Sequence, residues 1–181
     1  MTLLFQYGSN CDNTRLNDPE RLGGAAINPR LAQTVGEYDI AFNVFSQGNG
    51  CAANNLTAAP GRHAWGVLYD ISDDRLTGKG AVGRKTMAQI EGPRYEPRTI
   101  TVRTADGQGI DATTFIVKKD AERTGLWTSK EYVGHIVTGL LRNGAPPDYV
   151  EHVITVAIEN NERASERADE EARRITTLRA S

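Results

Sequence analysis

Cysteine is scarce in this chain: Cys11 and Cys51 are the only two among 181 residues. Two widely separated thiols are too few for a disulfide framework and have no near neighbour with which to build a zinc knuckle, so both are expected to be reduced. Histidine is as poorly patterned. His63, His135 and His152 share no three- or four-residue spacing with one another or with a cysteine, so no local metal site is encoded and no metal is expected. Long apolar runs are missing too. No stretch reaches the roughly eighteen consecutive apolar residues of a spanning helix. No basic residue precedes Arg15, so nothing reads as a secretory signal. The expectation is a cytoplasmic protein with no membrane partner. Charge of one sign is lacking as well: 21 Lys and Arg against 23 Asp and Glu give a formal charge of -2, which offers nucleic acid no bulk attraction.

What remains is an ordinary globular composition, 39% hydrophobic and 24% charged, in a length suited to one domain. The apolar run Thr2 to Tyr7 reads as a buried first strand, stopped by the turn Gly8-Ser9-Asn10. Asp12 or Asn13 can cap a helix through Leu22. The stretch Leu31 to Phe45 then reads as a strand, followed by two more at Cys51 to Ala58 and Ala64 to Ile71. Arg98 to Thr104 alternates, and with Ile110 to Val117 it predicts a hairpin about the Asp106-Gly107 turn. After Ser129 the period becomes helical, first to Asn143-Gly144 and then from Pro146-Pro147-Asp148 onward. Strands first and helices last point to an α+β fold. From Glu159 the chain carries six acidic residues and five arginines. A catalytic domain over residues 1–158 and a charged tail over 159–181, helical or frayed, are therefore expected, with a partner-binding helix as the other reading.

Three local patterns bear on chemistry. GKGAVG at Gly78 to Gly83 fits G-x-G-x-x-G, and Arg84-Lys85-Thr86 nearly completes a phosphate loop. The nearest strand ends several residues too early, however, and a connecting loop is the plainer reading. No G-x-S-x-G elbow is present, which leaves Ser9 as the one serine whose turn could expose a nucleophile; a turn-stabilising hydroxyl is its ordinary role. Glu91 follows the apolar Met87, Ala88 and Ile90 and precedes a Gly-Pro break. A carboxyl in apolar surroundings has a raised pKa and suits proton transfer near neutrality, whereas a surface glutamate closing a helix is the ordinary alternative.

In order along the chain, FQYGSN at Phe5 to Asn10, AWGVLYDI at Ala64 to Ile71, IEG at Ile90 to Gly92, Tyr132 and NGAPPDYVEHV at Asn143 to Val153 resemble the signature segments of the γ-glutamylcyclotransferase family. The resemblance implies a small mixed β-barrel of about six strands with flanking helices. It also implies conversion of a γ-glutamyl amide to 5-oxoproline and a free amine or amino acid, by attack of the substrate's own α-amine and without a cofactor. Carried over, Glu91 is the general base and acid. Phe5, Gln6, Tyr7, Gly8, Ser9 and Asn10 surround the substrate, the turn's backbone N–H groups face its carboxylate or the oxyanion, and Tyr132 positions it. The chain departs from the family's pattern at Gln6, at Cys11 and in M-A-Q-I-E-G before the glutamate. A non-catalytic small-molecule binding module on the same fold and an amide hydrolase using Ser9 are the alternatives. The implied partner is the small γ-glutamyl substrate, with a homodimer left open.

Overall fold

The computed structural model describes residues 1–78, 84–164 and 166–180, the side chains of 166–169 and 180 excepted. The GKGAVG stretch thus lies outside the described residues apart from Gly78. The fold is α+β: a closed five-stranded mixed barrel with a separate two-stranded sheet and six α-helices. Strand β1 (Thr2–Gln6) lies between β5 (Trp65–Ile71) and β7 (Gly109–Val117). It runs antiparallel to β5, from Thr2 opposite Ile71 to Gln6 opposite Val67, and parallel to β7, where Leu4 faces Thr113. Strand β2 (Ile27–Thr34) bridges β5 to β6 (Tyr95–Thr104), and the β6–β7 hairpin closes the ring. The chain reading's alternation over Arg98 to Thr104 survives in β6, where Ile100 and Val102 are buried between exposed neighbours.

The barrel has five strands rather than the six or so expected, and the described residues hold seven in all, because Leu31 to Phe45 is two strands and not one and the second of them pairs outside the barrel. Strand β2 ends at Thr34. The chain then leaves the barrel through Val35-Gly36-Glu37, where a Cβ on Gly36 would lie 2.7 Å from the Tyr38 ring. It resumes as β3 (Tyr38–Ser46), which pairs only with β4 (Cys51–Ala58). A turn over Gln47–Gly50 joins the two strands. The first helix is also shorter than expected. Asp12 does cap it, accepting from the Thr14 N–H at 3.1 Å, but α1 covers only Asn13–Leu16 before the chain turns toward Gly23 and Gly24.

Two short helices follow, α2 (Asp73–Leu76) and α3 (Met87–Glu91). A reciprocal capping box fixes α3, the Thr86 hydroxyl accepting from Gln89 N and the Gln89 side chain accepting from Thr86 N. Gly92, at φ +79, ends it; at that φ only glycine is unstrained, so the Glu-Gly pair sets where the helix stops and where Glu91 points. Helix α4 (Lys130–Arg142) is capped by the Ser129 hydroxyl, and α5 (Pro147–Glu162) carries Pro147 in its first turn. Helix α4 lies directly on the Ser9–Cys11 turn: a Cβ on Gly139 would meet the Cys11 carbonyl carbon at 2.1 Å.

The expected boundary at residue 158 falls inside α5, and the segment after it is not solvated along its length. Helix α6 (Glu166–Thr176) packs against α4 and α5, with Ile175 fully buried and Ala172 nearly so. Arg174 reaches Glu131 on α4 and Glu171 on its own helix, Glu171 accepts from the Lys130 N–H at 3.0 Å, and Arg179 pairs with Glu151 on α5. Among the described residues, no helix is long and apolar enough to cross a membrane.

Candidate active site

Where β1 runs out, the chain enters the tight turn Gly8-Ser9-Asn10-Cys11, a single 3-10 turn closed by the Cys11 N–H on the Gly8 carbonyl at 2.8 Å. The opening residues of such a turn have no carbonyl within it to donate to, so the N–H groups of Ser9 and Asn10 are available. Gly8 itself is extended (φ -107, ψ -155), so freedom at positive φ is not why glycine stands there. The reason is contact: a Cβ would lie 2.4 Å from the Asn54 side-chain oxygen.

This turn forms one wall of a small cavity of about 30 Å³. Gln6, Tyr7, Gly8, Ser9 and Asn10 line it from the turn, Glu91 and Tyr95 from the end of α3 and the start of β6, and Tyr132 from α4. Asn54 on β4 and Phe115 on β7 complete it. Every residue expected at the site thus reaches one chamber except Phe5, which is a core side chain: it is fully buried, and its ring lies 2.7 Å from where a Cβ on Gly66 would stand.

Asn54 was not anticipated from the sequence, yet it organises the chamber. It is 2% exposed. Its side-chain nitrogen donates to the Tyr7 carbonyl at 3.0 Å and its side-chain oxygen accepts from the Tyr132 hydroxyl at 2.7 Å. Its own backbone N–H donates to that hydroxyl at 3.2 Å, and its carbonyl accepts from the Tyr95 hydroxyl at 2.9 Å. Tyr7 in turn donates to the Phe115 carbonyl at 2.5 Å. Burial raises the pKa of Tyr7, Tyr95 and Tyr132, and the negative charge of Glu91 raises each further, so all three stay neutral and act through hydrogen bonds alone. The signal available in the sequence was a pair of adjacent amides, Asn54-Asn55, inside a strand of small apolar residues. The partner amide, Asn55, accepts from the Val117 N–H at 3.0 Å and so ties β4 to β7.

Glu91 is the group in the chamber that titrates near neutrality. Desolvation pushes its carboxyl up from 4.5 to about 7. Hydrogen bonds from Asn10 and Gln6 and the positive charges of Arg21 and Arg15 hold it below where burial alone would put it. Asn10 donates to the carboxylate at 3.0 Å, and Arg21 donates to the Asn10 side-chain oxygen at 2.5 Å, so the turn, the amide and the carboxyl form one chain of contacts. The histidines stand elsewhere: His135 bonds Asp12, His152 bonds Asp39, and His63 faces the Thr34 carbonyl. Cys11 and Cys51 are free and buried.

Beyond Glu91 and Tyr95, which both chambers share, lies an outer chamber of about 300 Å³, partly open to solvent. Gln47, Gly48 and Asn49 of the β3–β4 turn, with Arg15, Arg21, Lys85 and Arg94, surround it. Chemically, the pair of chambers offers a neutral, hydrogen-bonding inner pocket, one proton-transferring carboxyl at its threshold and a cationic vestibule.

A barrel with this topology, a tight turn after its first strand and a glutamate facing that turn, defines a γ-glutamylcyclotransferase-like fold. The chain belongs to the AIG2-like family, whose model matches residues 63–153, a span that holds Glu91 and Tyr132 and leaves out the Phe5 to Asn10 turn. No curated protein matches the chain. Among solved structures it is similar to a γ-glutamyl cyclotransferase, at 20% identity and a TM-score of 0.72, over 95% of this chain and 98% of that one. An uncharacterized protein from Homo sapiens is similar at 20% identity and a TM-score of 0.71, over the same 95% and 98%. YkqA from Bacillus subtilis is similar at 20% identity and a TM-score of 0.66, over 86% of this chain and 54% of that protein. Likeness at that identity establishes the shared fold.

Proposed function

We propose that the protein is a γ-glutamylcyclotransferase-type enzyme that closes the γ-glutamyl group of its substrate into 5-oxoproline and releases the attached amine. The observation that carries this reading is the Glu91 carboxyl, titrating at about 7 against the Asn10 amide of the turn. A group with that pKa accepts a proton readily at neutral pH and, once protonated, returns it as readily.

The substrate's α-ammonium gives a proton to Glu91. The freed amine attacks the γ-carbonyl carbon, forming the ring C–N bond, and collapse of the tetrahedral intermediate breaks the bond to the departing nitrogen. Two protons pass from the attacking to the departing nitrogen, one at a time through Glu91, which ends as the carboxylate it began. No water is consumed. Because nucleophile and electrophile belong to one molecule, the protein supplies orientation and charge stabilisation. Effective molarities of about 10⁵–10⁸ M show what good alignment is worth. The Ser9 and Asn10 N–H groups provide donors for the oxyanion, and the Tyr132–Asn54 pair gives the chamber a fixed polar wall.

The test is 5-oxoproline release from a panel of γ-glutamyl amino acids and amines by the native protein and by Glu91→Gln, which keeps the shape and removes the proton relay. Release by the native protein, lowered about 10²–10⁴-fold in the variant, is expected. No release from any substrate by folded protein points to a binding module on this fold. Equal release by both proteins removes Glu91 from the chemistry.

A further inference from the structure

Arg21 was not anticipated from the sequence, and it stands one contact behind the Glu91 carboxyl. It lies in the turn after α1, where the backbone on both sides of it is pinned. Its own N–H donates to the Asp18 carbonyl at 2.9 Å, and the Leu22 N–H donates to the Leu16 carbonyl at 3.2 Å. The Leu22 carbonyl accepts from the buried Arg75 guanidinium at 2.7 Å, and the Leu22 side chain is fully buried. From that base the Arg21 guanidinium donates to the Asn10 side-chain oxygen, and the Asn10 side-chain nitrogen donates to Glu91 Oε1. The Asn10 backbone is held separately: its carbonyl and that of Cys11 accept from the Tyr69 hydroxyl at 3.2 and 3.1 Å.

A side-chain amide has two ends of nearly equal shape, and the partners at each end decide which way it points. A guanidinium only donates, so the Asn10 oxygen faces Arg21 and the Asn10 nitrogen faces Glu91; the reversed amide would set donor against donor. The consequence appears when Glu91 takes up a proton. An amide free to turn would then accept that proton from the carboxyl, holding it in an Asn10–Glu91 bond away from either substrate nitrogen. With Arg21 in place the amide keeps donating to Oε1, and the proton is carried on Oε2.

The charges act in the same sense. Gln6 and Asn10 bond the carboxyl, and the neutral hydroxyls of Tyr7, Tyr95 and Tyr132 line the chamber with it. Arg15 and Arg21 act on it by charge, and Lys85 and Arg94 share the outer chamber. Burial raises the Glu91 pKa; of the charges that oppose this, that of Arg21 acts most strongly. Desolvation and the charge of Arg15 lower the pKa of Arg21, and the charges of Glu91 and Asp18 raise it. Asp12, Asp18, Glu20 and His135 line the neighbouring pocket with Arg21.

We propose that Arg21 is a positioning residue for the proton relay: it keeps the Asn10 amide nitrogen turned toward Glu91, so that both proton transfers run through the one carboxyl oxygen that Asn10 does not bond, Oε2. The proposal rests on the cyclotransferase reading for what the relay serves.

Glutamate labelled with carbon-13 at its side-chain carboxyl gives the Glu91 titration by NMR without turnover, the signal being identified by its absence from Glu91→Gln. Arg21→Met removes the charge and the donors. The Glu91 midpoint is expected to rise by about one pH unit, because the lost positive charge had favoured the carboxylate. Arg21→Lys is expected to hold the midpoint at its native value, since an ammonium also only donates. In 5-oxoproline release, Arg21→Met should lower kcat severalfold at pH 7 and carry the acid limb of the pH profile upward with the carboxyl, and Arg21→Lys should restore both. A midpoint and acid limb that Arg21→Met leaves in place overturn the proposal, because a merely structural role lowers activity without moving them. An equal rise in Arg21→Lys overturns it as well. The native protein supplies a check should the methionine variant fail to fold. Protection of the Asn10 side-chain amide protons from exchange should be the same at pH 5 and pH 8, and its loss at pH 5 would mean that the amide turns. A titration that answers to Arg21 in a protein releasing no 5-oxoproline from any substrate sinks the reaction alone; release with a titration indifferent to Arg21 sinks the positioning alone.

Discussion

Replacing Glu91 by glutamine tests the site through stability as well as through activity. The folded protein holds its carboxyl at about 7 against 4.5 for the unfolded chain. Between those values the unfolded state has given up its proton while the folded state keeps one, so stability is fully present below about 4.5 and falls as pH rises toward 7. The displacement from 4.5 to about 7 corresponds to about 3 kcal/mol, the cost of holding the ionised group in a desolvated chamber above neutrality. Glutamine mimics the protonated acid and can accept the same Asn10 bond, so the variant escapes this cost. Native and variant proteins should therefore match near pH 4.5, with the variant gaining steadily until it is about 3 kcal/mol the more stable at pH 8. In thermal denaturation a difference of that size moves the midpoint by about 6–12 °C for a chain of this length. Urea titrations at half-unit pH intervals give the curve directly. A difference that stays flat with pH, or one that favours the native protein at pH 8, would mean that Arg21 and Arg15 hold Glu91 ionised from low pH. The neutral-pH proton relay would then fail.

Other consequences follow from the same geometry. Gly8→Ala places a methyl 2.4 Å from an Asn54 oxygen that Tyr132 pins, so about 1–3 kcal/mol of stability should be lost, with ligand affinity falling alongside it; unchanged chemical denaturation and affinity would show that Asn54 swings away freely. Ile175→Ala removes a fully buried side chain from α6 and should cost about 2–5 kcal/mol in urea unfolding, whereas a solvated tail would cost less than about 0.5. Burial pushes the Cys11 thiol up to about 12, with the charge of Asp12 adding to it, so a thiol reagent at pH 8 should leave it untouched until the protein unfolds; rapid reaction of the native protein would contradict its burial.

The turn after the first strand and the glutamate before Gly92 were legible because each is a local matter: a strand stopped by Gly-Ser-Asn, and a helix stopped by a glycine at positive φ. The β6–β7 hairpin was legible for the same reason, its alternation being strict. Asn54 was not, because its importance comes from β4 standing outside the barrel sheet and lending one residue to the chamber, which no pattern within Cys51 to Ala58 records. The split of Leu31 to Phe45 was hidden by apolar residues on both sides of Gly36, which read as one strand when the two halves belong to different sheets. Helix α6 was taken for a charged tail because its buried stripe is narrow. Only Ala172 and Ile175 are buried among its arginines and glutamates, with the half-buried Leu178 in the turn after it, and only contact with α4 and α5 shows that so little suffices.

Gly139 gives the molecule an asymmetry. Because α4 meets the Cys11–Asp12 peptide backbone to backbone, the turn that faces Glu91 has a floor with no side chain left to compress, and it cannot recede to enlarge the inner chamber. The opposite wall is a hairpin turn and a ring of long basic side chains, all of which can be exchanged without moving that floor. Sequence change in this protein can therefore reshape the outer chamber far more easily than the inner one.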